Sequence, residues 1–150
     1  QEYKEDILVG YRWHDTQKIK PLFAFGHGLS YTNFEISAIK TDKNSYTSKD
    51  TIQVSCKVSN IGIVTGSEVV QVYVGKSTSK VKRATKELKG FKKISVKNET
   101  TGTVEISIAV SDLAFYNEAI SNWELEKGDY EIYVGNASDA ISKKLKITIQ

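Results

Sequence analysis

The chain has 150 residues, 39% of them hydrophobic and 26% charged, with a formal net charge of +3. That length suits one domain plus an arm, with core enough to fold without disulfides. The charge is too small to require a polyanion partner, no apolar run approaches the ~20 residues of a membrane span, and a lone cysteine, Cys56, excludes an intrachain disulfide or a cysteine-built metal site.

Residues 1–20 carry Tyr3, Ile7, Leu8, Val9, Tyr11 and Trp13 among balanced charges. Disordered segments are poor in such residues, so this arm is expected to be extended but packed, on its own domain or on a neighbouring one. Ile7-Leu8-Val9 has the composition of a short strand, without an evident hairpin partner. Gln1 is not a natural start, so the chain reads as a processed product or an excised piece. Pro21 to Tyr31 follows, with Gly26 and Gly28 around His27 expected to reach positive φ. Pro21 biases Lys20 toward an extended shape. This stretch is a buckle. It ends an arm, residues 1–32, and opens a body, residues 33–150.

In the body, apolar and polar residues alternate with period two, the signature of half-buried strands. The apolar sets are Phe34-Ile36-Ala38, Ile52-Val54-Cys56-Val58, Val70-Val72-Val74 and Val104-Ile106-Ile108-Val110. Trp123-Leu125, Tyr130-Ile132-Val134 and Leu145-Ile147-Ile149 complete them, and Leu88 to Val96 is a less regular strand with Gly90 as a candidate bulge. Turn signals separate them at Asp42-Lys-Asn44, Asn60-Ile-Gly62, Gly66, Lys97-Asn98, Lys127-Gly-Asp129 and Gly135-Asn136. Ser111 to Tyr116 reads as one helical turn or a loop. Seven or eight short strands predict an all-β fold, an antiparallel sandwich of immunoglobulin or fibronectin type III kind with an N-terminal extended arm. Gly128-Asp-Tyr130 predicts a tyrosine corner, with the hydroxyl bonded back to nearby backbone.

Few residues point to chemistry. Glycosidic cleavage needs two carboxylates facing across a cleft. Glu124 and Glu126 flank Leu125, which places both on the outer face of a strand, where no burial raises either pKa. Glu5-Asp6 lies in the arm and Glu131 faces outward. His14 and His27 lack the further ligands of a metal site and are expected to anchor ordered loops by hydrogen bonds. Asp42-Lys-Asn44 starts like a calcium loop but has Thr47 and Gln53 where its glycine and glutamate belong. Lys76 to Lys93 holds eight bases and one acid, Glu87. With Phe91 its one aromatic it has no stacking platform for nucleic acid, so a solvated face is expected. Cys56, on an apolar strand face, is expected to be buried and inert. Asn98-Glu-Thr100 and Asn136-Ala-Ser138 match the glycosylation sequon. Trp13 and Trp123 are the candidates for stacking on a sugar, although the alternation of Trp123 with Leu125 predicts a core position.

Leu8-Val-Gly-Tyr-Arg-Trp-His-Asp15 followed by Pro21-Leu-Phe-Ala-Phe-Gly-His-Gly-Leu-Ser-Tyr-Thr32 resembles the junction into the C-terminal domain of glycoside hydrolase family 3 β-glucosidases and β-xylosidases. Glu68 to Val74, Lys86 to Phe91, Leu113 to Tyr116 and Trp123 to Gly135 resemble that family's fibronectin type III-like domain. The resemblance runs from about Tyr3 to the C-terminus. Departures are Ala24 and Ala84, where the family often has proline, and Ile61, where threonine is usual. In this family the catalytic nucleophile and acid/base residue lie in the preceding domains, so the resemblance carries over no catalytic residue, no cofactor and no metal. It implies a non-catalytic accessory domain of a retaining β-glycosidase acting on terminal β-linked glucose or xylose. Such a domain would steady the catalytic domains, meet oligosaccharide through them alone, and bind neither nucleic acid nor membrane. Tyr11, Arg12, Trp13, His14, Asp15, Phe23, Phe25, His27 and Tyr31 are the expected interdomain contacts, with Gly26, Gly28 and Tyr130 structural. Export of polysaccharide-degrading relatives points to a periplasmic or extracellular parent. The alternative is a stand-alone carbohydrate-binding or adhesion-type sandwich.

Overall fold

A computed structural model describes residues 6–150, which leaves Tyr3 and Glu5 outside the described residues. The elements in chain order are α1 (Tyr11–Gln17), β1 (Phe34–Thr41), β2 (Ser45–Tyr46), β3 (Thr51–Asn60), β4 (Gly66–Gly75), β5 (Glu87–Val96) and β6 (Thr101–Ala109). A 3₁₀ turn (Val110–Leu113), β7 (Phe115–Asn117), β8 (Asn122–Glu124), β9 (Gly128–Gly135) and β10 (Ile141–Ile149) follow. Strands β1-β3-β6 form one sheet and β2-β10-β9-β4-β5 the other. All neighbours run antiparallel except β2, whose two residues pair in parallel with the end of β10. The β7–β8 hairpin stands apart as a two-stranded sheet.

The alternating residues named from the sequence meet between the sheets. Ile52, Val54, Cys56 and Val58 of β3 face a core shared with Val104, Ile106 and Ile108 of β6 and Val70, Val72 and Val74 of β4. Each such aliphatic side chain contributes about 1.5–3 kcal/mol on full burial. Burial also raises the pKa of the Cys56 thiol, which keeps it protonated and unreactive.

Two breaks in the alternation have local causes. Ala38 adopts φ 50° where the β1–β3 register shifts between Ser37 and Lys40. That bulge turns Ala38 outward and puts Ile39 into the core. In β5, Val72 pairs with Gly90 but Tyr73 pairs with Leu88, so Lys89 is the extra residue. A Cβ on Gly90 would stand 2.6 Å from Ile106 Cγ2, so glycine there lets the two sheets close.

Tyr130 is buried, and its hydroxyl donates to Glu126 O at 2.7 Å, four residues upstream. Asp42 has a role unrelated to calcium. Its Oδ1 accepts from the Tyr46 hydroxyl at 2.7 Å and from Gln53 N–H at 2.9 Å. Burial, with that hydrogen bond to Asp42, pushes the Tyr46 pKa up to about 12.

The N-terminal arm departs from expectation. It is not extended throughout: Gly10, at φ 61°, turns the chain into α1, and Ile7-Leu8-Val9 forms no strand. Leu8 alone of those three is buried.

Candidate functional site

The second half of strand β4, from Val70, is buried on both sides. Val70, Val72 and Val74 point into the sandwich, while Gln71 and Tyr73 point outward and are nonetheless covered. The cover is the arm. Tyr11 stacks on Phe25 at 4.7 Å between centroids and meets Tyr73 edge-on at 5.8 Å. Its hydroxyl accepts from Leu88 N–H at 2.8 Å. One helical turn further, Lys86 Nζ reaches Asp15 at 2.6 Å, and Arg12 reaches Glu87 at 3.2 Å. The inner side of α1 is thus fastened to the start of β5, engaging Tyr11, Arg12 and Asp15 within the domain.

The buckle crosses β4 one step along. Gln71 Nε2 donates to Asn136 O at 2.6 Å and lies 3.5 Å from Gly26 O, and its Oε1 accepts from the Tyr73 hydroxyl. Gly26 has φ 84°, and a Cβ there would collide with the Gln71 amide. Gly28 differs from expectation: its φ is not positive and it faces open space. We expect Gly26→Ala to destabilise the domain by about 2 kcal/mol through backbone strain and displacement of Gln71. Urea unfolding measures it, with Gly28→Ala as a near-neutral comparison.

His14 Nδ1 lies 3.2 Å from Ile19 O, closing the turn after α1. His27 instead stacks its ring on Phe23 at 5.3 Å, so it anchors by packing. Beyond these contacts the buckle is apolar and open. Leu22, Leu29, Tyr31 and, on the β3–β4 loop, Ile63 are each at least 87% exposed, with Phe23 and Ile61 not far behind. The β3–β4 loop is tied to the buckle, since Ile61 N–H donates to Asn33 O at 2.9 Å. Asn60 is the clamp. Its Oδ1 accepts from Thr32 Oγ1 at 2.6 Å and Gly62 N–H at 3.1 Å, while Nδ2 donates to Val64 O at 2.8 Å and Val96 O at 3.0 Å.

The carboxylates divide differently from the outward pair expected. Glu124 accepts from Asn117 Nδ2 at 2.6 Å across the β7–β8 hairpin. Glu126 is 7% exposed and accepts from Ser79 Oγ at 2.6 Å and Lys80 N–H at 2.8 Å, with Arg83 Nη1 at 3.6 Å. Three residues past Trp123 the chain leaves the hairpin, so strand periodicity no longer sets its direction. Burial alone would raise its pKa, but the bonds from Lys80 and Ser79 and the charges of Lys76 and Arg83 prevail and hold it below the ordinary value.

The basic stretch is likewise not simply solvated. Lys76 and Lys86 are buried, and Lys76 Nζ donates to Lys127 O at 2.9 Å. Arg83 donates to Leu113 O at 2.9 Å. These cations bind the 76–86 loop to α1, to the 3₁₀ turn and to the segment before β9.

Trp123 is outside the core, 67% exposed, and Tyr116 opposite it is 51% exposed. The alternation with Leu125 misled because the hairpin stands off the sandwich, whereas Leu125 packs on the core. The two rings meet edge-on at 5.7 Å. They border a cleft of about 830 Å³ between the hairpin, the 81–84 segment and the arm. The sequon at Asn136 is closed: its amide donates to Glu68 at 3.1 Å, and Ser138 is buried.

The fibronectin type III-like domain family matches residues 68–138, the span from within β4 to just past β9. Across 99% of its length the chain is 44% identical to thermostable β-glucosidase B of Acetivibrio thermocellus. Residues 68–138 thus match a fibronectin type III-like domain, and nearly the whole chain is similar to one part of β-glucosidases. Solved structures agree. This fibronectin type III-like chain superposes on part of a Kluyveromyces marxianus β-glucosidase in complex with glucose with a TM-score of 0.91, at 39% identity over 99% of its length. It superposes on β-glucosidase 3B of Thermotoga neapolitana with a TM-score of 0.87 and 37% identity over 97% of its length. It spans about a fifth of these proteins, 20%, 17% and 20% respectively.

Proposed function

We propose that the chain is the non-catalytic accessory domain of a retaining β-glycosidase and docks on the catalytic domains through the buckle and the β3–β4 loop. The observation that carries this reading is the nearly complete exposure of the apolar side chains Leu22, Leu29, Tyr31 and Ile63, since exposed apolar patches mark interaction sites. Asn60 and the Asn33–Ile61 bond hold its two halves in one arrangement. The face differs from the contact set expected from the sequence. Tyr11, Arg12 and Asp15 serve the domain itself, Trp13 and His14 are half-buried, and Phe23 and Tyr31 remain outward. The parent would hydrolyse terminal β-linked glucosides, as the names of the relatives suggest.

The state of Glu126 supports a non-catalytic role. A general acid needs a carboxyl with a raised pKa beside open space, whereas Glu126 is held charged by protein donors. Aryl-β-glucoside turnover by the isolated chain would refute this part.

The docking part is tested by Leu29→Ser, Tyr31→Ser and Ile63→Ser together. The isolated chain should melt almost unchanged, because these side chains touch little of it. In the whole parent enzyme the same changes should lower the melting temperature by several degrees and open the interdomain segment to protease. An unchanged parent would count against the docking face.

A further inference from the structure

We propose that the cleft beside the β7–β8 hairpin is a binding site for a β-1,4-linked gluco-oligosaccharide, separate from the docking face. One wall is aromatic. Trp123 and Tyr116 stand at 77° to each other, forming a corner in which both residues remain more than half exposed. An equatorially linked pyranose has flat faces lined with C–H groups, which the negative face of an indole attracts.

The opposite wall is polar and rich in donors. Glu87 meets three cations, Arg12 at 3.2 Å, Lys89 at 3.3 Å and Arg83 at 3.8 Å. Arg12 Nε and Arg83 Nη1 are buried behind this wall without a hydrogen-bond partner among the described residues, although Arg83 Nη1 keeps its ion pair with Glu126 at 3.6 Å. Lys82 and Asp6, each 61% exposed, line the same cleft and can exchange hydrogen bonds with sugar hydroxyls. The lining has four basic and three acidic side chains, a balance suited to a neutral ligand rather than an anion. Its volume of about 830 Å³ lies in the range of small-ligand sites. A protein segment is the less suitable occupant: none of Leu22, Leu29, Tyr31 or Ile63 lines this cleft.

The choice of a β-linked glucan rests on the reading of the parent given above, but the test does not require the parent. The isolated chain is titrated with cellotetraose and followed by the indole N–H resonance of Trp123, assigned by its loss in Trp123→Phe. Saturable shifts are expected, with half-saturation in the millimolar range or tighter. Trp123→Ala should weaken binding about tenfold or more, while Trp123→Phe retains most of it and Trp13→Phe all of it. Both Trp123 variants should fold, since the ring is outside the core. Absence of saturation, equal binding by Trp123→Ala, or equal binding of α-linked maltotetraose would overturn the proposal. Any of these would leave the docking role standing, because that role is read from the stability of the whole enzyme.

Discussion

Glu126→Ala should be the single change most damaging to the anchoring of the 76–86 loop, costing about 3 kcal/mol. The carboxylate is almost fully buried, and its removal strands the Lys80 N–H and the Ser79 hydroxyl and weakens the hold on Arg83. A buried cation that loses one of its two carboxylates, here keeping only Glu87 at 3.8 Å, is costly, and each orphaned donor adds its own desolvation cost. Arg83 also anchors Leu113 O, so the 3₁₀ turn leading into β7 should loosen with it. Chemical denaturation reads the loss, and amide exchange at Lys80 locates it.

The same group gives a pH signature. Its folded pKa lies below the ordinary 4.5, so its stabilisation is complete above that value. The contribution is lost as pH falls through the folded pKa. The wild-type chain should therefore lose stability on acidification below about pH 4.5 more steeply than Glu126→Gln, in which no proton is taken up at this position. Parallel curves for the two chains would show that the carboxylate is not held charged.

Asn60→Leu is the second large effect, also about 3 kcal/mol. Asn60 is 2% exposed and uses both ends of its amide, four hydrogen bonds in all. Leucine has nearly the same volume but leaves Val64 O, Val96 O, Gly62 N–H and the Thr32 hydroxyl without this partner, the Val96 and Thr32 groups in buried residues. The cost should appear with faster exchange at Gly62, because the β3–β4 loop has lost its clamp. In the parent enzyme the substitution should also weaken docking, since Ile61 and Ile63 are positioned by that loop. An unfolding midpoint within experimental error of wild type would refute the clamp.

The strands were legible because each core face repeats every second residue. Val70-Val72-Val74 and Ile52 to Val58 point inward as that period requires. The period misled where the backbone left the regular ladder. Ala38 lies on a bulge, so Ile39 has its place. Trp123 lies on a hairpin that stands clear of the core, and Glu126 lies past the end of that hairpin. In all three the local pattern is unremarkable, and the deviation comes from a register shift or a change of chain direction.

The aromatic content of the arm correctly announced packing, and two surfaces were open to it. Tyr11 chose the outer face of β4, where Tyr73 and Gln71 wait sixty residues away. Asn60 and Gln71 looked like a turn residue and an outward strand residue. Their importance follows from burial under segments remote in sequence, which turns an ordinary amide into an obligatory donor and acceptor.

By itself the sequence determined the sandwich, its strand count to within the short β2 and β7, the tyrosine corner and the likeness to family 3 β-glucosidases, because periodicity and motif strings are local properties. Tertiary structure alone decided which arm residues face inward, which carboxylate is buried, and where the open apolar and aromatic faces lie. Each of those depends on which distant segments come to share a surface, and no window of neighbouring residues encodes that.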